Sequence, residues 1–315
     1  MKQLIKAIVP RTVLNTAIET KDWLRLLTLP RQSFDSGNLR TADTLPLADI
    51  FGNRDIAAMW EKDYGIIKNL YGDEDKGEGV NPGDGRALYY LIMALQPQNV
   101  LEVGTHIGAS TIHIARALKR LNQNGRMTSV DIVDVNHPER GAWKQLGLPK
   151  SPMEFARQLE CLDYINFQTG ACLDLMRTTR QRYDFVFLDG AHRARAVYQE
   201  VSSALSLLKT GGVILLHDYY PGAKPLYPDS TTISGPFRAL ERIRKENPAI
   251  GVLPLGDLPW PTKQGKNVTS LALVARPPES AFLPVLDQRR EGNRTRATSL
   301  LKASAILVLI GTTLN

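Results

Sequence analysis

The chain has 315 residues, 43% of them hydrophobic and 23% charged, a globular balance with enough apolar residues for one large core. Net charge is +7 and sits mostly at the ends: Lys2, Lys6, Arg11, Lys21, Arg25 and Arg31 at the start, and Arg289, Arg290, Arg294, Arg296 and Lys302 in the tail. Two cysteines, Cys161 and Cys172, exclude a disulfide framework, and no Cys/His spacing matches a zinc site. No basic run is interleaved with stacking aromatics, so nucleic acid is not an expected partner.

The first stretch, "MKQLIKAIVPRTVL", lacks a signal-peptide core and cleavage site. A cytoplasmic protein is expected, its basic ends offering a weak peripheral attraction to the inner face of a membrane. Residues 1–30 suggest one or two helices and 31–50 an irregular linker. Next comes "YGDEDKGEGVNPGDG", acidic and glycine-rich, which reads as a loop and a candidate lid. "GDGRALYYLIMALQP" (83–97) is an amphipathic helix stopped by Pro97.

From Asn99 onward short apolar runs alternate with helical patterns. Strands are expected at 99–103, 127–131, 164–168, 183–189 and 211–218, and helices at 109–121, 151–161, 194–208 and 235–247, with a short one from Cys172. Strands alternating with helices predict a parallel sheet covered on both faces, and continuously apolar strands fit that burial. "AIGVLPL" (249–255) and "TSLALVA" (269–275) add two strands with no crossover helix between them, so this pair is expected antiparallel. The fold class is therefore α/β: a doubly wound, mostly parallel seven-stranded sheet with an antiparallel last strand, plus an N-terminal helical extension. Three parts are expected: an extension over 1–80, the main domain over 81–276, and a basic tail over 277–315. The tail ends in "ASAILVLIGTTLN", shorter than the ~20 apolar residues a bilayer span requires.

The densest local pattern is "VLEVGTHIGAST", residues 100–111. A strand ends, a glycine turn follows, and a helix opens with free N–H groups at the edge where open parallel sheets bind ligands. The dinucleotide fingerprint G-x-G-x-x-G fails here, because His106 stands two residues after Gly104. The spacing E-x-G-x-x-x-G resembles the first motif of class I S-adenosylmethionine (SAM)-dependent methyltransferases. That resemblance implies a SAM site over Glu102, Gly104, His106, Gly108 and Ser110, with Glu102 serving the cofactor's ammonium end. Asp131 closes the second strand, where an acid can accept from a ribose diol, and Asp134 competes for that role. The same resemblance lays Gly170, Ala171 and Cys172 along the adenine.

The fourth and fifth strands end in "FLDGAH" and "LLHDYYPG". Neighbouring strand ends would bring Asp189, His192, His217 and Asp218 into one crevice. Two carboxylates with added ligands can hold a hard divalent cation, and a histidine beside it can take a proton. The alternative is a helix-capping His192 and a His217 packed in the sheet. The segment 83–111 resembles the catechol O-methyltransferase family, and the paired acid/histidine ends resemble bacterial macrocin/mycinamicin-type sugar O-methyltransferases. The resemblance covers about residues 80–275. It implies that Asp189 and Asp218, with Asp189 also beside the cofactor, bind Mg2+ or another divalent cation and that His192 is the base. Tyr219 departs from the catechol pattern, which places Asn there, so His217 or water is expected to complete the ligand set.

These readings converge on a metal-assisted O-methyltransferase acting on a hydroxyl of a sugar, glycan or small natural product. Trp143, Tyr220, Tyr227 and Trp260 are candidate stacking residues for that acceptor. An NAD-linked oxidoreductase, a non-catalytic membrane-associated protein with a vestigial site, and a homo-oligomeric state stay open.

Overall fold

The computed structural model describes residues 11–32, 34–71 and 79–278. The expected lid acids at 72–78, the first ten residues, the basic tail and its apolar end lie outside the described residues. Residues 1–277 fall in one unit and 278–315 in a second.

The sheet has seven strands in the order β3-β2-β1-β4-β5-β7-β6. They are β1 (Asn99–Val103), β2 (Arg126–Asp131), β3 (Ile165–Thr169), β4 (Tyr183–Leu188), β5 (Leu208–Leu216), β6 (Gly251–Pro254) and β7 (Ala272–Ala275). Strands β1 to β5 pair parallel, and β7 runs antiparallel to both β5 and β6. The expected doubly wound sheet with an antiparallel last strand is therefore the architecture found.

Period-two alternation divides the strands between two cores. Val100, Phe185, Phe187, Val213, Leu215 and Leu273 face one side. Leu101, Val103, Val186, Leu188, Ile214, Leu216 and Val274 face the other. Both sides are covered by packed side chains, which is why these strands read as mostly apolar runs.

In chain order the helices are α1 (Arg11–Leu27), α2 (Leu47–Phe51), α3 (Arg54–Tyr71), α4 (Pro82–Leu95), α5 (Ala109–Leu121), α6 (Ala142–Gln145), α7 (Pro152–Gln158), α8 (Cys172–Thr178), α9 (Ala194–Leu207) and α10 (Ser234–Glu246). Their ends follow local chemistry. The Asn81 side chain accepts from the Asp84 N–H with Pro82 at the first turn, starting α4. Ser151 and Glu154 form a reciprocal capping box on α7.

The extension is built into the same two cores. Leu45, Ile50, Ile56, Trp60 and Ile67 join the core beneath α4 and α5, and Leu26 and Leu39 join the other. Asp63 on α3 is fully buried and is held by Tyr89 of α4 (2.8 Å) and by Arg116 and Arg120 of α5 (Arg120 at 2.9 Å). Asp22 on α1 accepts from the Ala194 N–H at 2.6 Å and so caps α9, which has no cap of its own. Helix α3 arises where the sequence reading set no element.

Candidate active site

The carboxyl ends of β1, β2, β3, β4 and β5 open into a cleft of about 770 Å³. One wall is the turn after β1. Gly104 has φ +94°, and a Cβ there would lie 2.4 Å from the Asp189 carbonyl oxygen. Only glycine lets the β1 and β4 turns approach this closely. His106 also has a left-handed backbone, φ 48°, and its N–H donates to Asp131 Oδ2 at 2.9 Å. Asp131 therefore ties the end of β2 to the glycine turn while lining the cleft.

Glu102 lies behind this turn rather than in the cleft wall. It is fully buried and accepts from Thr111 and Ser129, both at 2.5 Å, while its Oε1 has no hydrogen bond among the described residues. Burial pushes its carboxyl up to about 7, partly offset by the hydroxyls of Ser110, Ser129 and Thr111 around it. Gly108 also stands outside the wall; it caps α5 with φ 81°.

Beside this turn, the ends of β4 and β5 carry the acids and histidines. Asp189, His192 and Asp218 each offer one ligand atom, and these atoms lie within 4.8 Å of one another. His192 Nδ1 is 3.2 Å from Asp218 Oδ2 and its side chain is half exposed. The carboxylate acceptor assigns the proton to Nδ1, which leaves Nε2 with a free lone pair. Asp218 has a left-handed backbone, φ 56°, an uncommon state for a non-glycine residue. Its neighbours hold it there: His217 N–H donates to the Leu188 carbonyl and Tyr219 N–H to the Ser270 carbonyl.

His217 is surrounded by carboxylates. Nε2 lies 3.1 Å from Asp84 Oδ2, and Nδ1 lies 3.1 Å from Asp189 Oδ1 and 3.5 Å from Asp218 Oδ1. Burial alone would discharge the ring, but the charges of Asp189 and Asp218 and the hydrogen bonds to Asp189 and Asp84 hold it well above the ordinary histidine value. Both nitrogens then donate, and His217 is an imidazolium that fixes Asp189 from behind.

Gly104, His106, Ser110, Asp131, Gly170, Ala171, Cys172, Asp189, His192, His217 and Asp218 all line the one cleft. Tyr219 does not; it is buried against Phe237 in the core on the far side of the sheet, so the position where the catechol pattern has Asn is turned away from the acids. Of the candidate stacking aromatics only Tyr220 reaches the cleft. Tyr227 is buried against it edge-on, Trp260 lies under Arg86 and donates to the Gly83 carbonyl, and Trp143 is buried in the core.

Two acids escaped the sequence reading. Asp84 is fully buried at the start of α4, where it receives Asn81, Thr269 and His217. Its one sequence signal was an acid in a helical first turn. Glu200 lies mid-helix on α9 and lines the cleft beside Cys172, with no local pattern to mark it.

A 3-2-1-4-5-7-6 sheet with its cleft at a glycine turn after β1 and an acid at the end of β2 resembles the arrangement of class I SAM-dependent methyltransferases. In the comparison with known proteins, residues 101–219 match the family described as "Methyltransferase domain". A catechol O-methyltransferase from Niastella koreensis is 26% identical over 48% of this chain. A rhamnosyl O-methyltransferase from Mycobacterium leprae is 25% identical over 50%. The match spans 63% of the length of each relative. Among solved structures, the O-methyltransferase TomG from Streptomyces achromogenes in complex with SAM is 19% identical, covering 70% of this chain and 90% of that chain at a TM-score of 0.48. Among the described residues no helix is long and apolar enough to cross a membrane.

Proposed function

We propose that the chain transfers a methyl group from SAM to a hydroxyl oxygen of a glycan or small molecule, with a divalent cation beside the reacting oxygen. The carrying observation is the convergence of Asp189, His192 and Asp218 in the cleft that the Gly104 turn and Asp131 also line. The names of the catechol and rhamnosyl relatives support a hydroxyl acceptor of this class.

The Gly104–Ser110 turn and Asp131 would hold the cofactor, Asp131 offering the acceptor capacity left by the His106 and Val133 N–H groups. When bound, SAM supplies a methyl on a sulfonium, which needs only in-line positioning against the acceptor oxygen. The O–C bond forms as the C–S bond breaks, and the hydroxyl proton passes to His192 Nε2. Asp218 holds that imidazole through Nδ1 and stabilises the imidazolium once it forms, a task for which general base help is typically worth about 10²–10⁴ in rate.

The donor set fits a divalent cation. Asp84, Asp189 and Asp218 surround a single imidazolium, which leaves the site net negative. Asp189 and Asp218 would hold the ion with water, and it would supply positive charge near the acceptor oxygen. With both His217 nitrogens directed at carboxylates, we assign it to positioning Asp189 rather than to the ligand set. Incubation with labelled SAM and candidate glycan or phenolic acceptors, with and without EDTA, tests the proposal. Transfer should vanish with EDTA and return with Mg2+ or Mn2+; transfer that EDTA leaves untouched refutes the metal, and SAM that fails to bind refutes the whole reading.

A further inference from the structure

Glu200 is a buried acid that the chemistry above does not use. It rises from α9 into the cleft wall formed by Gly170, Ala171, Cys172 and Leu173, and only 5% of it is exposed. Among the described residues it has no ion-pair partner, and its hydrogen-bond donor is the Cys172 thiol at 3.4 Å. A thiol is a weak donor, so this carboxylate is left with acceptor capacity facing a cavity and no cation to offset its burial.

Its place in the cleft says what could satisfy it. On the SAM reading the ligand would lie between Asp189 at the end of β4 and Asp131 at the end of β2, with β1 between them. The next wall outward is the turn after β3, residues 170–173, and Glu200 stands behind that turn. Resting on the SAM reading of the cleft, we propose that Glu200 accepts a hydrogen bond from the 6-amino group of the cofactor's adenine and selects for that base. The amino group is a planar N–H donor at the far end of the ligand, and Glu200 is the acceptor without a strong donor on that side. Burial pushes its carboxyl up to about 7, and a seated N–H donor draws it back to the carboxylate.

The test is calorimetric titration of wild type, Glu200→Gln and Glu200→Ala with S-adenosylhomocysteine and with its purine analogue bearing hydrogen in place of the 6-amino group. Wild type should prefer the amino ligand by about ten-fold or more, as for a hydrogen bond to a charged group. Glu200→Ala should lose that preference, and Glu200→Gln, whose amide oxygen still accepts, should keep part of it. A purely structural Glu200 would weaken both ligands alike. An unchanged preference in Glu200→Ala overturns this inference and leaves the cofactor reading standing. A wild type that binds neither ligand overturns both. Glu200→Gln preserves the side-chain volume and decides the matter if Glu200→Ala fails to fold.

Discussion

Replacing Asp63 with alanine should destabilise the protein strongly although it lies outside the active-site cleft. Asp63 is fully buried and accepts four hydrogen bonds, from Tyr89, Arg116 and twice from Arg120. Removing one side of a buried ion pair typically costs about 3–5 kcal/mol, because the partner charge stays buried. Arg116 is 8% exposed and would be stranded, whereas Arg120 at 36% can turn to water, so the lower end, about 3 kcal/mol, applies. For a domain of this size that corresponds to a melting temperature lower by roughly 6–12 °C. The effect should also depend on pH. Burial raises the Asp63 carboxyl, but the hydrogen bonds from Arg120, Arg116 and Tyr89 outweigh it and hold the group below its ordinary 3.8. A depressed acid contributes stability above its unfolded value and loses it as pH falls through the folded one. The gap between wild type and Asp63→Ala, read by thermal melts, should therefore be full at pH 7 and shrink as the pH is lowered past that 3.8. A drop of less than about 2 °C at neutral pH would refute the view that this network anchors α3 to the sheet domain.

Three further outcomes are expected. His192→Ala should lower methyl transfer by roughly 10²–10⁴ with SAM affinity unchanged in calorimetry, and full activity would remove it as the base. Gly104→Ala forces a Cβ to 2.4 Å from the Asp189 carbonyl at φ +94°, and the left-handed backbone alone costs about 1–2 kcal/mol. SAM binding should weaken at least about ten-fold, and wild-type affinity would mean that the turn can relax freely. In the cofactor-free protein the Glu200 carboxyl sits at about 7 against an ordinary 4.5, raised by burial. Such a group costs stability as pH rises from the unfolded value through the folded one, by up to roughly 3 kcal/mol. Glu200→Gln should therefore gain on wild type in melts between pH 5 and 8, and a gain that shrinks with pH would contradict the sign.

The centre of the sheet was legible because β1, β4 and the second half of β5 are buried on both faces and mostly apolar, whereas β3 and β6 are only part-buried. The antiparallel end pair followed from the missing crossover between 255 and 269. Helix α3 was harder: Ile56, Trp60 and Ile67 share a face at helical spacing, but Gly65 and several charges dilute the pattern. Asp189, His192, His217 and Asp218 could be grouped because they end adjacent strands, which topology converts into proximity. Asp84 and Glu200 could not, since each is a single acid on a helix, and packing alone brings Asp84 to His217 and Glu200 to the cleft lining. The reading of Tyr219 in place of Asn, taken in sequence, pointed to a missing ligand; with its side chain in the far core, the question moves to the orientation set by the left-handed Asp218.

Residues 38–42 run alongside the sheet as a strap. Gly211 N–H donates to Asn38, Arg40 N–H to Gly212, Ala42 N–H to Arg276 and Arg276 N–H to Arg40. Its partners are thus made long after it. At about 5–20 residues per second, the ribosome needs on the order of ten seconds to most of a minute to reach Arg276 after releasing Ala42. Until Gly211 and Gly212 are made, and for Ala42 and the Arg40 carbonyl until Arg276 is made, these backbone partners do not yet exist. The strap therefore waits on segments made much later, and slowing translation should lengthen the window in which it is open to proteolysis.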